Sequence, residues 1–443
     1  MSEHHATEPH PRPPLTDPDP HVKPAAYVTA DVPAIGGVLK QRDEDFFVEE
    51  IPLVEPSGSG EYLHLFVEKQ GLSTLDLVDV IARHFRVQRD AVSFAGLKDK
   101  RAITRQVVSV HAPGKSPEDF PMLDRRNVKI LWADLHDEPI KRGQLVANRF
   151  SIRARELSPT AIVHAQRALT TLERVGVPNR FGVQRFGYLR NNHLIGRALV
   201  LGLHQEACDE MLGSHERSPR AQTDARMLYD EGDFGGAYDL FPPNFRGERT
   251  VLRMLASRKT PAQALAKLDR SIRSFYISSL QSCVFNAVLD RRLERGALGK
   301  LDPGDLAFVH EDRSHLPVNE QDLAEDGPGS VRARFDAFEL SPSGPMWGSL
   351  MPVADAASGE DERAALAAFG MEPGDFAKAD QRLGEMLEGA RRPLRVRVKD
   401  PEVEAGVDDR GAYIRCAFEL PRGAFATTVM DEVLKGDAAR GHV

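Results

Sequence analysis

The densest group of residues able to do chemistry is the stretch 93–106, SFAGLKDKRAITRQ. In this stretch Asp99 follows Gly96 by three residues and is surrounded by four cations, Lys98, Lys100, Arg101 and Arg105. Nearby cations favour the ionised form of a carboxylate, which is the form that a nucleophile needs. The glycine allows a backbone or a ligand to approach closely. By spacing alone, however, Asp99 is better explained as a turn residue or as the N-cap of a helix beginning near Arg101.

Three basic segments flank the chemical motifs, although the whole chain carries a net charge of −8. Residues 246–273 hold eight Lys or Arg against two acids, a net of +6, and residues 139–155 and 391–399 each hold five cations and no acid. Since exposed charges are screened over about 8 Å, a docked phosphate senses such patches more than distant acids. The alternative is that each segment is an ordinary solvated face.

Composition indicates a globular chain of two domains. The 443 residues are 41% hydrophobic and 28% charged, which allows a sizeable core. No apolar run is long enough to span a membrane, no signal peptide is recognisable, and the three cysteines form no CxxC pair, so we expect a cytoplasmic protein without a zinc site. Residues 1–24, with seven prolines and four histidines, read as a disordered tail, and a metal-binding His tract (His4, His5, His10, His21) is the less favoured alternative.

Hydrophobic periodicity predicts strands near both ends of the chain and helices in its middle. Strands are predicted at 61–69, 149–155, 394–399 and 412–420, those at 149–155 and 394–399 each with one cationic face. Ser73 or Thr74 should cap a helix that buries Leu77, Val78, Ile81 and Phe85, and further helices are predicted at 159–175, 192–213 and 260–295. The pattern predicts one α+β domain built from both ends of the chain and interrupted by an inserted domain.

The stretch GLKDKRAITRQ closely resembles the GxKDxxAxTxQ signature of the TruD family of tRNA pseudouridine synthases. Further segments resemble that family in the same order along the chain: LKQRDEDFFVEE (39–50), NRF (148–150), GVPNRFGVQRFG (176–187), SGPMWG (343–348) and PRGAFATTV (421–429). The resemblance implies a pseudouridine-synthase catalytic domain with a mixed or antiparallel sheet and an inserted α/β TRUD domain. We place a tail at 1–33, the catalytic domain at 34–175 and 354–443, and the insertion at 176–353.

The resemblance also implies roles for individual residues. It assigns the catalytic carboxylate to Asp99 and the uridine pocket to Phe46, Asn148 and Phe425, with Phe150 and Lys40 as further candidates. Aromatic rings can stack on a base outside its helix, and an amide can donate to and accept from a uracil edge. Phe46 and Phe425 could instead be core aromatics, and Asn148 could only satisfy backbone groups. Strand alternation allows only one of Phe46 and Phe47 to line the pocket.

The implied reaction converts uridine to pseudouridine in tRNA, with uridine 13 of the D-arm, particularly in tRNA-Glu, as the expected target. Because the isomerisation involves no net oxidation, reduction or hydrolysis, we expect no cofactor and no metal, and no obligate protein partner is implied. The residues do not distinguish attack at ribose C1′ from attack at uracil C6.

Two rival functions are a catalytically silent RNA-binding protein and a glycosidic hydrolase, which would need paired carboxylates. In the loop 176–187 we expect Arg180 and Arg185 to meet RNA and the phenylalanines to be buried.

Overall fold

The computed structural model describes residues 21–436, and its contacts divide the chain into two compact units. The sheet unit comprises Tyr27–Asn179 together with the chain from Val396 onward. The helical unit comprises Arg180–Arg395 together with the chain before Tyr27. The expectations for His4, His5 and His10 lie outside the described residues.

The strands and helices of the described residues follow one another as two series. The strands are β1 (Phe46–Pro52), β2 (Tyr62–Gln70), β3 (Val92–Phe94), β4 (Ile103–His111), β5 (Val128–His136), β6 (Leu145–Arg155), β7 (Val177–Pro178), β8 (Leu306–Val309), β9 (His315–Pro317), β10 (Leu340–Met346), β11 (Ala390–Pro393), β12 (Arg395–Val396), β13 (Lys399–Asp408) and β14 (Gly411–Pro421). The helices are α1 (Thr74–Phe85), α2 (Ile162–Val175), α3 (Asn192–Leu201), α4 (His204–Leu212), α5 (Thr223–Asp230), α6 (Phe234–Leu240), α7 (Arg246–Ala256), α8 (Pro261–Leu265), α9 (Arg270–Glu294), α10 (Glu320–Ala324), α11 (Val331–Asp336), α12 (Ala356–Ala367), α13 (Gly374–Leu383) and α14 (Ala426–Leu434).

The sheet unit is organised around one mixed sheet with the strand order β13-β14-β6-β1-β4-β2-β5, and β3 pairs with β4. Strands β1 and β4 are parallel, whereas the other pairs in this sheet are antiparallel. Strands from the two ends of the chain meet where β14 pairs with β6, in the register Leu420 opposite Asn148. The predicted α+β class with a mixed sheet is therefore confirmed.

Helices cover the sheet with the apolar faces that the sequence pattern predicts. Ser73 caps α1 by accepting a hydrogen bond from the Asp76 backbone, and the predicted residues Leu77, Val78, Ile81 and Phe85 are buried. They pack in one core with side chains of β2 and β4. A second core joins α2 and α14 to β6 and β14, where alternate residues such as Ile152 and Ile414 point inward. This alternation confirms the predicted strands at 149–155 and 412–420.

The helical unit contains α3 to α13 and an antiparallel sheet of the order β11-β10-β8-β9. Its longest helix, α9, is buried along much of its length and packs against α3. A side chain at Gly196 of α3 would overlap the carbonyl oxygen of Tyr276 in α9, so glycine allows the close approach of the two helices. No helix within residues 21–436 is long and apolar enough to cross a membrane.

The observed division of the chain differs from the predicted boundaries at three places. The sheet unit continues to Asn179, whereas the predicted insertion begins at 176. Residues 354–395 belong to the helical unit, because α12 and α13 contribute Leu366 and Phe376 to a core that they share with α9. Part of the predicted tail is also ordered, since Thr29 is buried and bonds to Glu432 of α14. The last two differences depend on contacts between residues that are far apart in the chain, which hydrophobic periodicity does not report.

Two predicted helices are each interrupted. The segment 192–213 forms α3 and α4, which are separated at Gly202, where φ is +74°. The segment 260–295 forms α8 and α9, and Asp269 caps the second helix. A glycine at the helix C-terminus marks the first break, and a new N-cap residue marks the second.

Several cations of the basic segments are buried and paired, which corrects the prediction of continuous cationic faces. Arg391 bonds to Glu362, and Arg395 lies 3.5 Å from the centre of the Phe335 ring, where burial lowers its pKa to about 9. Of the predicted strand at 394–399, only the two residues of β12 and Lys399, where β13 begins, are in strands. In the segment 246–273 six cations are exposed, namely Arg246, Arg253, Arg258, Lys259, Lys267 and Arg270. Of these, Arg270 pairs with Glu385, as does the half-buried Arg273.

Arg155 at the end of β6 provides a test of these buried pairs. Its guanidinium lies 2.6 Å from Asp45 and 2.7 Å from Asp408, and both Arg155 and Asp45 are buried. Because removal of the cation leaves a buried carboxylate without its partner, Arg155→Met should lower the free energy of unfolding by about 3–5 kcal/mol. Urea denaturation measures this value. The matched change Arg153→Met, in the same strand but partly exposed, should cost less than about 1 kcal/mol, and equal losses would contradict the burial argument.

Candidate active site

Asp99 lies in the loop between β3 and β4, on the sheet unit. The chain enters β4 at Ile103 without forming a helix, so the explanation of Asp99 as the N-cap of a helix near Arg101 is wrong. The Asp99 side chain is 41% exposed, which leaves its carboxylate open to solvent and to a ligand.

Buried polar groups hold this loop in place. The Lys98 backbone donates to Thr74 Oγ1 at 2.8 Å, and Thr74 in turn bonds to the buried Gln106. The buried ammonium of Lys69 donates to the backbone carbonyls of Leu72 and Asp99 at 2.6 and 2.9 Å. Such supporting bonds fix the position of a functional side chain before a substrate arrives.

Lys40 connects Asp99 to the first aromatic candidate. Its ammonium lies 3.5 Å from the Asp99 carboxylate and 4.1 Å from the centre of the Phe46 ring. Lys40 adopts φ +56°, a conformation that residues other than glycine rarely use and that clusters at functional sites. Arg101 bonds to the Lys40 carbonyl at 3.0 Å and steadies this backbone. The structure thus brings together three of the predicted residues, Lys40, Phe46 and Asp99.

Lys98, the residue before Asp99, positions the predicted amide. Its ammonium is buried and lies 2.8 Å from Glu50 Oε2 and 2.7 Å from Asn148 Oδ1. Since the amide oxygen of Asn148 accepts from Lys98, its nitrogen faces away from the lysine and forms no hydrogen bond within residues 21–436. The Asn148 side chain is therefore oriented to donate to a carbonyl oxygen of a ligand.

The aromatic candidates on the strands are mostly buried. Phe46 is 2% exposed and meets Phe150 edge to face at a centroid distance of 6.3 Å, and Phe150 contacts Phe418. Phe47 is half-buried and lies under Arg105, so the two adjacent rings have different surroundings, as strand alternation requires. Phe46 and Phe150 thus belong to the core, and Phe46 meets the site through its contact with Lys40.

Phe425 is placed differently from the other two phenylalanines. It is the N-cap residue of α14 and is 45% exposed, which argues against a core position. Strand β14 ends at Pro421, one residue after the position opposite Asn148, so the turn that carries Phe425 starts beside the Asn148 backbone. No aromatic or cation–π contact joins Phe425 to the other candidates in the described part of the chain.

The sequence did not reveal the roles of Lys69 and Glu50. Nothing in their spacing predicts that one fixes the Asp99 backbone and the other pairs with Lys98, because both partners are distant in sequence. Conversely, Arg105 is not at the site, since it pairs with Glu49 and Glu68 at 2.8 Å each. Within residues 21–436 no cluster of three or more His, Cys, Asp or Glu side chains could hold a metal ion.

The loop 176–187 corrects the expectation for its arginines. Arg180 is buried and forms an ion pair with Asp290 of α9, so it holds the helical unit together and cannot meet RNA. Arg185 is half-buried, bonds to Ser282 and lies near the rings of Phe181 and Phe275. Phe186 is buried as predicted, whereas Phe181 is only half-buried.

Lys69 provides a pH-dependent test of the loop support. Burial lowers its pKa from 10.5 to about 8, and the nearby Asp99 charge opposes this shift. Between these values the unfolded chain binds more protons than the folded one, so the free energy of unfolding should rise with pH from about 8 to 10.5. Urea titrations of the wild type and of Lys69→Met at several pH values measure the effect. The variant should show a flatter dependence in this window, and identical slopes would contradict the assigned shift.

Comparison with known proteins shows to which family the chain belongs. The family model for tRNA pseudouridine synthase D (TruD) matches residues 24–433. The chain belongs to the TruD family. It is 38% identical over 412 residues to tRNA pseudouridine synthase D of Geobacter metallireducens, a match that covers 93% of this chain and 98% of the relative. The corresponding protein of Anaeromyxobacter dehalogenans is 34% identical over 412 residues, covering 93% and 97% of the two chains.

A solved structure shares the fold of this TruD family member. A crystal structure of a candidate tRNA pseudouridine synthase D from Methanosarcina mazei superposes with a TM-score of 0.82 at 26% identity. The match covers 96% of this chain and 99% of the other. The resemblance seen in the sequence motifs is therefore confirmed, and the chain is a tRNA-modifying isomerase of the TruD family.

Proposed function

We propose that this enzyme isomerises uridine 13 in the D-arm of tRNA, with tRNA-Glu as a principal substrate, in the cytoplasm and without a cofactor. Asp99 is the catalytic carboxylate. The observation that carries the proposal is the exposed Asp99 carboxylate beside the Lys40 ammonium, on a loop that buried polar groups fix, in a chain of this family.

Each side chain of the site has its own role in the reaction. The Asp99 carboxylate attacks ribose C1′ or uracil C6, and the bond between C1′ and N1 breaks. The base turns, its C5 bonds to C1′ and the bond to Asp99 is released. Asp99 then assists departure of the C5 proton while N1 takes up a proton. The Lys40 ammonium lies 3.5 Å from this carboxylate and helps to hold it in position. The free amide nitrogen of Asn148 donates to a uracil carbonyl, since Lys98 holds the amide oxygen. Phe46 and Phe150 shape the wall behind Lys40.

Binding of tRNA must supply the free energy that takes the base out of its stack, which costs a few kcal/mol. The exposed cations Arg246, Arg253, Arg258, Lys259 and Lys267 can contact phosphates and make the affinity salt-dependent. Their positions on the helical unit support a role in holding the tRNA.

The proposal is tested with unmodified tRNA-Glu that carries tritium at C5 of its uridines. Incubation with the protein should release tritium, and mapping should find pseudouridine at position 13. A transcript with cytidine at that position is the matched control and should release none. Tight binding without tritium release would instead favour the silent RNA-binding protein, and free uracil in the supernatant would favour the hydrolase. Tritium release from the control transcript would contradict the assigned position.

Phe425 should affect turnover far more than folding. Its ring is exposed, so Phe425→Ala removes little core contact, whereas loss of stacking on a base costs about 1–3 kcal/mol. We therefore expect kcat/KM to fall roughly 5- to 150-fold with little change in thermal melting. Phe425→Tyr keeps the ring and should retain most activity. If melting collapses while the activity per folded molecule stays normal, Phe425 has a structural role instead.

A further inference from the structure

Leu97, two residues before Asp99, is a large apolar side chain in an unusual place. It is 66% exposed, and Asp99 is also exposed, while the Lys98 side chain between them is 5% exposed. Burial thus alternates along these three residues. Leu97 and Asp99 project to the solvent side of the loop, and Lys98 projects into the protein.

The exposure of Leu97 does not by itself indicate a function, because isolated leucines are common on protein surfaces. The Leu97 backbone, however, lies between two fixed points. On one side the Gly96 carbonyl accepts a hydrogen bond from Gln106, and on the other the Lys98 backbone donates to Thr74. Both partners are buried, and the Lys98 ammonium adds its bonds to Glu50 and Asn148. A well-supported loop therefore holds an apolar side chain in water, next to the carboxylate that must reach a base.

Removal of a base from a stack leaves a gap with two apolar faces, the rings of the neighbouring bases. Proteins fill such gaps with apolar side chains, leucine among them, which insert between base steps. We propose that Leu97 is a positioning residue that enters the stack vacated by the target uridine while Asp99 acts on the displaced base. This inference rests on the proposed function, and it assigns to Leu97 a contact with the bases that flank the target.

The loss of turnover in Leu97→Ala should depend on the structure of the RNA substrate. Leu97→Ala should lower kcat/KM for folded tRNA by about 10- to 100-fold, but it should change turnover of a short unstructured RNA with the same uridine less than about threefold, because no stack has to be opened there. Leu97→Met keeps an apolar wedge and should restore turnover. The control Leu75→Ala removes another exposed leucine of the same unit, 48% exposed on α1, and should leave both activities unchanged. An equal loss on both substrates, or no loss on either, would overturn the inference.

A binding measurement gives a second readout that does not require turnover. A 2-aminopurine placed beside the target uridine reports stacking by its fluorescence. At saturating protein, the fluorescence of the 2-aminopurine should differ between the complex with Asp99→Asn and the complex with the double variant Asp99→Asn/Leu97→Ala. Identical fluorescence in the two complexes would overturn the role of Leu97. Tritium release by the wild type in parallel shows whether the proposed function holds, so that the two failures are distinguishable.

Discussion

Asp99→Asn should reduce tritium release from the target uridine by at least about 10³-fold, because the amide keeps the size of the side chain but cannot act as a nucleophile or accept the C5 proton. The side chain is 41% exposed and its ion pair with the partly exposed Lys40 is a surface contact, so the free energy of unfolding should change little. The affinity for tRNA should also stay within about threefold of the wild-type value, since phosphate contacts dominate such affinities.

Rates under single-turnover conditions measure this effect without interference from product release. The control Lys40→Met removes the neighbouring cation but keeps the carboxylate, and it should cause a smaller loss. Residual activity of Asp99→Asn above one tenth of the wild-type rate would remove Asp99 from the mechanism. Attack at C1′ or at C6 can then be separated in the wild type with 5-fluorouridine RNA, by identifying the atom to which a trapped enzyme is linked.

Lys98→Met should cause the second largest loss, and it should affect stability as well as activity. The Lys98 ammonium is buried between Glu50 and Asn148, so its removal leaves a buried carboxylate unpaired, at a cost of about 3–5 kcal/mol in the free energy of unfolding. The Asn148 amide loses the bond that orients it, and we expect turnover to fall about 100-fold or more.

The double variant Lys98→Met/Glu50→Gln separates the two effects. It removes the unpaired charge and should recover much of the lost stability, because a neutral amide is cheaper to bury than a carboxylate. Activity should remain low, since Asn148 still lacks its orienting donor. If activity returns together with stability, Lys98 acts only through the fold. Denaturant titration and single-turnover rates of the three proteins decide between these results.

Local physics made much of the sheet unit predictable. The helix α1 could be predicted because Ser73 supplies a cap and the apolar residues recur with helical spacing. Strands β6 and β14 could be predicted because alternate residues are apolar and face one core. The motif around Asp99 pointed to the loop of the candidate site because its residues are contiguous in sequence.

What the sequence could not show were the partners of charged residues. Arg155 and Arg395 alternate with apolar residues as exposed cations would, yet one pairs with Asp45 and the other stacks on Phe335. Likewise, Lys69 reaches Asp99 only through the pairing of distant strands. Such contacts are long-range, and neither periodicity nor composition carries information about them.

We propose that this chain makes pseudouridine at one position of tRNA through Asp99. The most direct test of this proposal maps pseudouridines in tRNA from cells that lack the protein, and in the same cells supplied with the wild type or with Asp99→Asn. Uridine 13 of tRNA-Glu should be unmodified without the protein, become pseudouridine with the wild type and stay uridine with the variant. Pseudouridine at that position in all three samples would contradict the proposal.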